Sequence, residues 1–306
     1  MSDQLVARAE AAYLGFAVGD ALGATVEFLT PREIRCQYGV HREIRGGGWL
    51  RLKAGQVTDD TTMSLALGAA MLADGGEVRP LSCAHAFDAW MRGKPVDIGN
   101  TVRRNLIAFR RSGNPAAVPS EHDAGNGAAM RVLPVALGTL ARDEAAVRAA
   151  VRAQAHVTHH NPASDAASEF LALAVQDFVR GDPLRHVYRR RIKPLVGARP
   201  EFAYQGRRRE NPSGWIVETM QAVLQALMDT DGFESCLVDV TNRGGDADTT
   251  GAIAGMLAGA LYGLDAIPPR WLKALDPAVH EACRAQARAL VAVMAAHEPL
   301  PVMRCA

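Results

Sequence analysis

Aromatic residues and long apolar runs are both scarce in this sequence. Aromatics make up 6% of the 306 residues, and the longest nearly uninterrupted apolar stretch covers only residues 251–264. A membrane-spanning helix needs about 18–20 apolar residues, so we expect no integral membrane protein. Alanine, leucine and arginine dominate long segments in which apolar residues recur three and four positions apart, which is typical of helices and disfavours a strand-rich fold.

Net charge and cysteine are also low. The 34 Lys and Arg nearly balance the 33 Asp and Glu, and a net charge of +1 gives little support for a nucleic-acid partner. Charged residues near the N-terminus replace the apolar core of a secretory signal, so we expect a cytoplasmic protein. The five cysteines fit neither a zinc spacing nor a disulfide framework and are expected to be reduced: Cys36, Cys83, Cys236, Cys283 and Cys305.

The apolar content of 48% is ample for a core, and the length fits either one large domain or two. Glycine and proline clusters between the periodic segments are too short to be flexible interdomain linkers, so we predict a single domain over residues 1–306. Periodicity predicts helices over 4–21, 61–73, 82–91, 99–111, 127–140, 144–155, 162–180, 214–228, 233–241, 249–262 and 277–296.

Residues 184–211 form a locally basic segment with few acids. A solvated surface insertion and a docking face for an acidic partner or nucleotide phosphates both fit this composition. The predicted helix over 249–262 carries a different signal, because glycine recurs every fourth residue at 251, 255, 259 and 263. A helix face without side chains predicts close approach of a second helix.

Two predicted helices begin with an unusual density of acids. The motifs are VTDDTTMSLA and RGGDADTTGAIAGM, and the residues concerned are Thr58, Asp59, Asp60, Asp246, Asp248 and Thr249. Helix capping needs only one such residue, whereas like carboxylates in close proximity repel one another unless cations neutralise them. If the two starts converge, four carboxylates fit two divalent ions, and all-oxygen ligands favour Mg²⁺ or Mn²⁺ over Zn²⁺. Spacing alone leaves caps and metal ligands equally open.

Further polar residues lie at turns where either a structural role or a ligand contact is possible. In DAGNGAAMR, the amides of Gly125, Asn126 and Gly127 suit phosphate, although a tight turn capped by Asn126 fits equally well. Glu27 is either a surface glutamate or a carboxylate aimed into a cleft, and Asp97 with Asn100 either caps a helix or faces a ligand.

The segment HVTHHNPAS places three histidines between two predicted helices. His156, His159 and His160 could complement a helix dipole, bind a metal or contact a nucleotide. We favour nucleotide contact over metal ligation, because no histidine or cysteine occurs in the two acidic motifs.

The order GDALGATVEF, TDDTTMS, PVDIGNT, GNGAAMR, HVTHHN and GGDADTTGAIAGMLAGALYG resembles the ADP-ribosylglycohydrolase family over most of the chain. Within it, PVDIGNT and VTHHN resemble the branch found in nitrogen-fixing bacteria. The resemblance implies an all-α orthogonal multi-helix bundle with a dinuclear metal centre at the bottom of an ADP-ribose cleft. It also implies hydrolysis of the N-glycosidic bond between ADP-ribose and a modified protein arginine.

Motif by motif, the resemblance implies roles for individual residues. The six residues of the acidic helix starts would be ligands for two divalent ions, Mn²⁺ or Mg²⁺, with Glu27 beside them. Asn100 and His159 would contact ADP-ribose, and the amides of residues 125–127 would hold its diphosphate. Asp97 would transfer the proton, with Glu27 as the competing candidate. Ala247 departs from the threonine or asparagine of many relatives, which leaves the ligands in place.

The resemblance also implies partners. The protein substrate would be ADP-ribosylated dinitrogenase reductase, regulation would involve a PII signalling protein, and recruitment to a membrane would be reversible and through a partner. Two alternatives remain at this point. One is hydrolysis of another linkage, to serine, in O-acetyl-ADP-ribose or on nucleic acid, and the other is a non-catalytic ADP-ribose-binding relative. The presence of all the acids argues against the second.

Overall fold

The chain folds into a helical bundle in the computed structural model, which describes residues 3–296. Within those residues no strand forms, and β-type pairing is limited to two isolated bridges. The helices are α1 (Asp3–Gly23), α2 (Pro31–Tyr38), α3 (Asp59–Ala73), α4 (Pro80–Arg92), α5 (Asn100–Ser112), α6 (Leu133–Gly138), α7 (Glu144–Ala155), α8 (Pro162–Val179), α9 (Leu184–Val187), α10 (Lys193–Ala198), α11 (Ile216–Asp229), α12 (Phe233–Thr241), α13 (Ala247–Tyr262), α14 (Pro269–Ala274) and α15 (Pro277–Ala296).

The prediction of a helix over 127–140 is wrong, whereas the other predicted helices form with small shifts at their ends. Residues 127–131 make turns, and α6 begins only at Leu133. Proline is tolerated in the first turn of a helix but not in its interior, so Pro134 fixes the late start. The glycine-rich loop before it therefore does not open directly into a helix.

Helices α1 and α13 cross in direct backbone contact at the centre of the bundle. Both are buried on all sides, α1 over residues 9–23 and α13 over residues 247–260. A methyl group added to Gly19 would lie 2.0 Å from the Gly251 carbonyl oxygen, and one added to Gly255 would lie 2.1 Å from the Gly15 oxygen. The predicted close approach is therefore confirmed, and only glycine permits it at these positions.

The same contact continues to the beginning of α13. A methyl group on Gly23 would lie 2.1 Å from the Ala247 carbonyl oxygen, so the end of α1 is held against the acidic start of α13. Gly259 approaches Ala11 in the same way, but Gly263 does not belong to this face. Gly263 has a φ of 84° and ends α13.

The basic segment 184–211 packs onto the bundle as α9, a π-helical turn, α10 and a short 3₁₀ turn. Several of its arginines are used in ion pairs with acids of the same chain: Arg190 and Arg191 with Asp177, Arg199 with Glu201, Arg208 with Asp239, and Arg209 with Glu218. The Arg191 side chain is only 8% exposed in its pair. The segment therefore is part of the folded body, and much of its charge is neutralised there.

None of the described helices combines the length and apolarity needed to cross a membrane. Three cysteines are buried as free thiols, Cys83, Cys236 and Cys283, and Cys36 is exposed and free, as predicted. Cys305 lies outside the described residues.

Candidate metal and ligand site

A cleft of about 320 Å³ opens where the loop after α1, the starts of α3 and α13, the turn before α5 and the 123–127 loop meet. Most of the residues predicted to bind ligands line it. They are Glu27, Asp59, Asp97, Asn100, Gly125, Asn126, Gly127, His159, Asp246, Asp248 and Thr249. Thr58 and Asp60 lie buried behind the cleft wall.

The two acidic helix starts converge at the base of this cleft. Ligand oxygens of Glu27, Asp246 and Asp248 lie within 4.8 Å of one another, as do those of Asp59, Asp60 and Asp248. All five carboxylates are buried at this position. Asp248 belongs to both groups. Asp60 and Asp248 are nearly 190 residues apart in sequence. The α1–α13 crossing and the packing of α3 beside it bring them together.

Hydroxyl groups connect the two groups of carboxylates. Thr58 caps α3, since its Oγ1 accepts from the amide of Asp60, and it lies 3.4 Å from Asp60 Oδ2. Thr249 Oγ1 donates to the same Asp60 oxygen at 3.1 Å. Asp246 occupies the N-cap position of α13 but makes no capping bond with its side chain. Capping thus accounts for Thr58 and does not account for Asp246.

The electrostatics of the cluster call for cations. Among the residues described, no lysine or arginine forms an ion pair with any of these carboxylates. Burial, together with the charges of neighbouring carboxylates, raises the pKa of Asp59 to about 7 and that of Glu27 to about 8. The pKa values of Asp60 and Asp248 rise well above the ordinary range for the same reasons.

One oxygen of the cluster lacks a partner among the described residues. Asp60 Oδ1 is buried and accepts no hydrogen bond from any of them, an arrangement that is costly unless the oxygen binds a ligand. An all-oxygen donor set of carboxylates and hydroxyls suits hard divalent cations such as Mg²⁺ and Mn²⁺. The residues present therefore fit a divalent metal centre.

Asp20 also belongs to this region, although no role was predicted for it from the sequence. It is fully buried in α1, its carboxylate accepts from the Thr58 amide at 3.0 Å, and it accepts from the Thr61 amide and hydroxyl at 3.1 and 2.6 Å. It thereby orients the first turn of α3, which carries two of the cluster's carboxylates. The available signal was a single acid in the otherwise apolar segment FAVGDALG.

Two exposed aromatic rings flank Glu27 at the mouth of the cleft. Trp49 donates its indole N–H to Glu27 Oε2 at 2.6 Å, and its ring packs on Phe28 with centroids 5.3 Å apart. Phe28 has a φ of 62°, an uncommon conformation for an aromatic residue. Glu27 is only 4% exposed and faces the cleft, so the surface-glutamate interpretation is wrong.

Asp97 lies at the rim on the opposite side. The N-cap of α5 is Gly99, which has no side-chain capping bond, so neither Asp97 nor Asn100 caps that helix. Asp97 Oδ1 accepts from the adjacent Ile98 amide at 2.7 Å, and no other hydrogen bond to this carboxylate is found among the described residues. The charge of Asp97 contributes to the raised pKa of Asp59. Its carboxylate is therefore available to the cleft.

The glycine-rich loop leaves room for a neighbouring ring, but not all of its backbone amides are free to bind a ligand. A methyl group on Gly127 would lie 2.7 Å from the Cε1 atom of His159, so the glycine leaves room for that ring. The amide of Asn126 already donates to the Gly214 carbonyl at 3.0 Å, and its side-chain amide donates to Asp246. Of the three amides predicted to hold diphosphate, that of Asn126 therefore already has a partner within the protein, and diphosphate binding by this loop stays a prediction.

The three histidines separate into different environments. His156 contacts Asp165 at 3.0 Å and stacks on His160 with ring centroids 3.7 Å apart, whereas His159 lines the cleft. Neither carboxylate group of the described residues includes a histidine. The preference for a nucleotide contact over a metal triad agrees with this arrangement.

Comparison with known proteins identifies the family of this chain. The ADP-ribosylglycohydrolase family model matches residues 1–299. The chain is 49% identical, over 94% of its length and 96% of the other, to the ADP-ribosyl-[dinitrogen reductase] glycohydrolase of Rhodospirillum rubrum. It is 33% identical to an ADP-ribosylarginine hydrolase of Pseudomonas putida (strain GB-1), over 89% of this chain and 75% of the relative.

The architecture is likewise that of a solved relative. A chain described as an ADP-ribosylglycohydrolase-related protein complex superposes with a TM-score of 0.84 at 34% sequence identity, and the match covers 96% of this chain and all of that one. The predicted all-α fold class is therefore confirmed. By its sequence over nearly its whole length and by its fold, this chain belongs to the ADP-ribosylglycohydrolase family.

Proposed function

We propose that this chain is a metal-dependent hydrolase that releases ADP-ribose from a modified protein arginine. The observation that carries the proposal is the cluster of buried carboxylates without cationic partners at the base of the cleft. The names of two relatives, a glycohydrolase of ADP-ribosylated dinitrogen reductase and an ADP-ribosylarginine hydrolase, favour the arginine linkage.

The cofactors in this proposal are two divalent cations, Mn²⁺ or Mg²⁺. One would be held by Glu27, Asp246 and Asp248, and the other by Asp59, Asp60 and Asp248, with the hydroxyls of Thr58 and Thr249 adjoining them. When bound, such ions polarise ribose hydroxyls and lower the pKa of a water molecule. The partnerless Asp60 Oδ1 supports a ligand at that position.

The reaction adds water to the anomeric carbon of the terminal ribose and breaks its bond to the guanidine nitrogen. Asp97, whose carboxylate faces the cleft, takes a proton from the water and returns it to the leaving nitrogen. Glu27 is the second candidate for this transfer, because it lies among the carboxylates and is oriented by Trp49. A carboxylate near the anomeric carbon also stabilises oxocarbenium character.

The remaining cleft residues bind and orient the ADP-ribose. Asn100 and His159 would contact it with their side chains, and the amides of Gly125 and Gly127 would face its diphosphate.

The name of the Rhodospirillum rubrum relative supports dinitrogenase reductase as the ADP-ribosylated protein substrate. Regulation by a PII protein, and membrane association through a partner, stay predictions from the family resemblance. No feature of the described surface distinguishes a docking site for either.

The linkage can be tested with substrates that differ only in the modified side chain. Purified protein loaded with Mn²⁺ is incubated with arginine-linked and serine-linked ADP-ribosylated proteins, and free ADP-ribose is measured over time. We expect release from the arginine linkage alone. Release from serine alone would assign another linkage, and absence of release from both despite ADP-ribose binding would favour the non-catalytic alternative.

A further inference from the structure

Arg131 is a fully buried cation close to the cleft, and it has no carboxylate partner. It is 0% exposed, and among the residues described no aspartate or glutamate pairs with it. Its guanidinium instead donates to the side chain and backbone oxygens of Gln154 at 2.7 and 2.9 Å and packs over the Phe87 ring at 4.3 Å. Burying an unpaired charge is expensive, so this arrangement calls for an explanation.

Nη1 of Arg131 faces Met63 Sδ at 3.7 Å, and a second N–H of Nη2 leads toward the cleft. Nη2 donates to the hydroxyl oxygen of Thr158 at 2.8 Å, and that oxygen lies 2.8 Å from Nδ1 of His159. A guanidinium only donates, so the Thr158 oxygen is the acceptor in the first contact. This oxygen has a second lone pair, so the direction of its contact with His159 depends on where the buried hydroxyl hydrogen can go. Among the described residues, Nδ1 of His159 is the one acceptor found for that hydrogen, so the hydroxyl donates and Nδ1 accepts.

This chain of donors determines where the proton of His159 lies. If Nδ1 accepts, the neutral imidazole carries its hydrogen on Nε2. Burial and the nearby Arg131 charge lower the pKa of His159 to about 3, so the ring is neutral under ordinary conditions. The ring is therefore a hydrogen-bond donor on its Nε2 side and not a base.

The Nε2 side of the ring faces the cleft. His159 is only 3% exposed and lines the cleft, and its ring lies between Gly125 and Gly127. Methyl groups on these glycines would each come within 3.1 Å of Nε2. Within the described part of the chain, no hydrogen-bond partner is found for Nε2, which leaves this buried donor directed into the cleft.

We infer that Arg131 and Thr158 are positioning residues that hold His159 as the neutral Nε2–H tautomer, a fixed donor to an oxygen of the ADP-ribose. The identity of the ligand rests on the proposed function, whereas the tautomer rests on the contacts alone. His159 then contributes binding and orientation, and proton transfer is left to the carboxylates.

The test compares Thr158→Val, which keeps the shape but removes the hydroxyl, with Thr158→Ser, which retains the hydroxyl. Histidine labelled with ¹⁵N reports the tautomer by NMR, with His159→Gln to assign the signal, and calorimetry gives the Kd for ADP-ribose. We expect the Nε2–H form in the wild type and in Thr158→Ser, a mixture of tautomers in Thr158→Val, and a Kd raised about tenfold only in Thr158→Val.

Arg131→Met provides a second route if Thr158→Val fails to fold, because it removes the first donor with an apolar side chain of similar length. We expect the same loss of tautomer preference and of affinity. An Nδ1–H tautomer in the wild type would overturn the inference, as would unchanged tautomer and Kd in both variants. A wild type that shows the Nε2–H form but does not bind ADP-ribose would contradict the proposed function and the ligand assigned to His159, while the tautomer itself would stand.

Discussion

At the residue scale, the proposed metal ligands and Asp97, the first candidate for proton transfer, occupy different parts of the cleft. Asp246 shares a group of oxygens with Glu27 and Asp248 and lies at the base, whereas Asp97 belongs to neither group and lies at the rim. This difference in position leads to different outcomes for two conservative substitutions, both of which replace a carboxylate by an amide of the same shape.

Asp246→Asn should lose both bound Mn²⁺ and activity, because it removes a charged ligand. Asp97→Asn should keep its Mn²⁺ while the turnover number falls about 10²–10⁴-fold, the usual contribution of a general acid or base. Metal content after dialysis and the rate of ADP-ribose release distinguish the two. A metallated, active Asp246→Asn protein would remove Asp246 from the ligand set, and an unchanged rate in Asp97→Asn would transfer the proton role to Glu27.

The residues of the acidic motifs could be predicted because their density exceeds what helix capping needs. Asp20 could not, since one acid within an apolar helix has no neighbouring motif, and its role depends on the start of α3 folding onto it. The donor function of Trp49 toward Glu27 was missed for a similar reason, because the two residues are brought together by a loop with several positive φ angles.

At the scale of elements, the crossing of α1 and α13 aligns the site. The glycine recurrence in α13 predicted that a helix would pack there, and the structure shows that its partner is α1, where Gly15, Gly19 and Gly23 meet it. The same four-residue recurrence in α1 is readable in the sequence but was not used to identify the partner. Conversely, α2 was missed although Thr30 and Glu33 form a capping box around Pro31. That motif is readable in sequence, whereas the short apolar face of α2 has little helical periodicity.

Gly19→Ala tests the crossing. The added methyl group would lie 2.0 Å from the Gly251 carbonyl oxygen, so the two helices must separate. We expect the free energy of unfolding to fall by about 1–3 kcal/mol, the usual cost of overpacking, with weaker Mn²⁺ binding because the carboxylates at the helix ends shift.

Gly197→Ala in α10 is the matched control, since its methyl group would meet no atom within 4 Å. Urea denaturation and Mn²⁺ titration of both variants make the comparison. Equal stability and equal Mn²⁺ affinity of Gly19→Ala and the wild type would show that the helices do not need this contact.

At the scale of the whole molecule, we propose that the chain is one domain, since one hydrophobic core includes residues from α1 through α15. The carboxylate cluster is buried at the cleft, and the free-energy cost of burying its charge is concentrated there. We therefore expect metal binding and folding to be coupled through the carboxylates, with a coupling that depends on pH.

The free energy of unfolding of the metal-free protein should fall as pH rises from about 5.5 to 8. The folded-state pKa values of Asp20, Asp59 and Glu27 are raised to about 6, 7 and 8, against ordinary values near 4. A raised folded-state pKa gives stability that is complete below the unfolded pKa and is lost as pH passes the folded value. Mn²⁺ favours the ionised groups, so its stabilising effect should grow over the same range.

Thermal unfolding at several pH values, with and without Mn²⁺, measures both effects. Asp59→Asn is the control, because it removes one titrating group and should flatten the decline of the metal-free protein. A metal-free protein whose stability is the same at both ends of this range, or a gain from Mn²⁺ that does not grow with pH, would contradict the coupling.

Metal-dependent release of ADP-ribose from an arginine-modified protein is the most direct measurement. Mn²⁺ is titrated into metal-free wild type and into Asp248→Asn, which lacks the one carboxylate common to both groups. We expect the rate of release by the wild type to rise from near zero and saturate with Mn²⁺, and the rate of Asp248→Asn to stay near zero throughout. Full release by the metal-free wild type, or by Asp248→Asn, would contradict metal-dependent hydrolysis at this cleft.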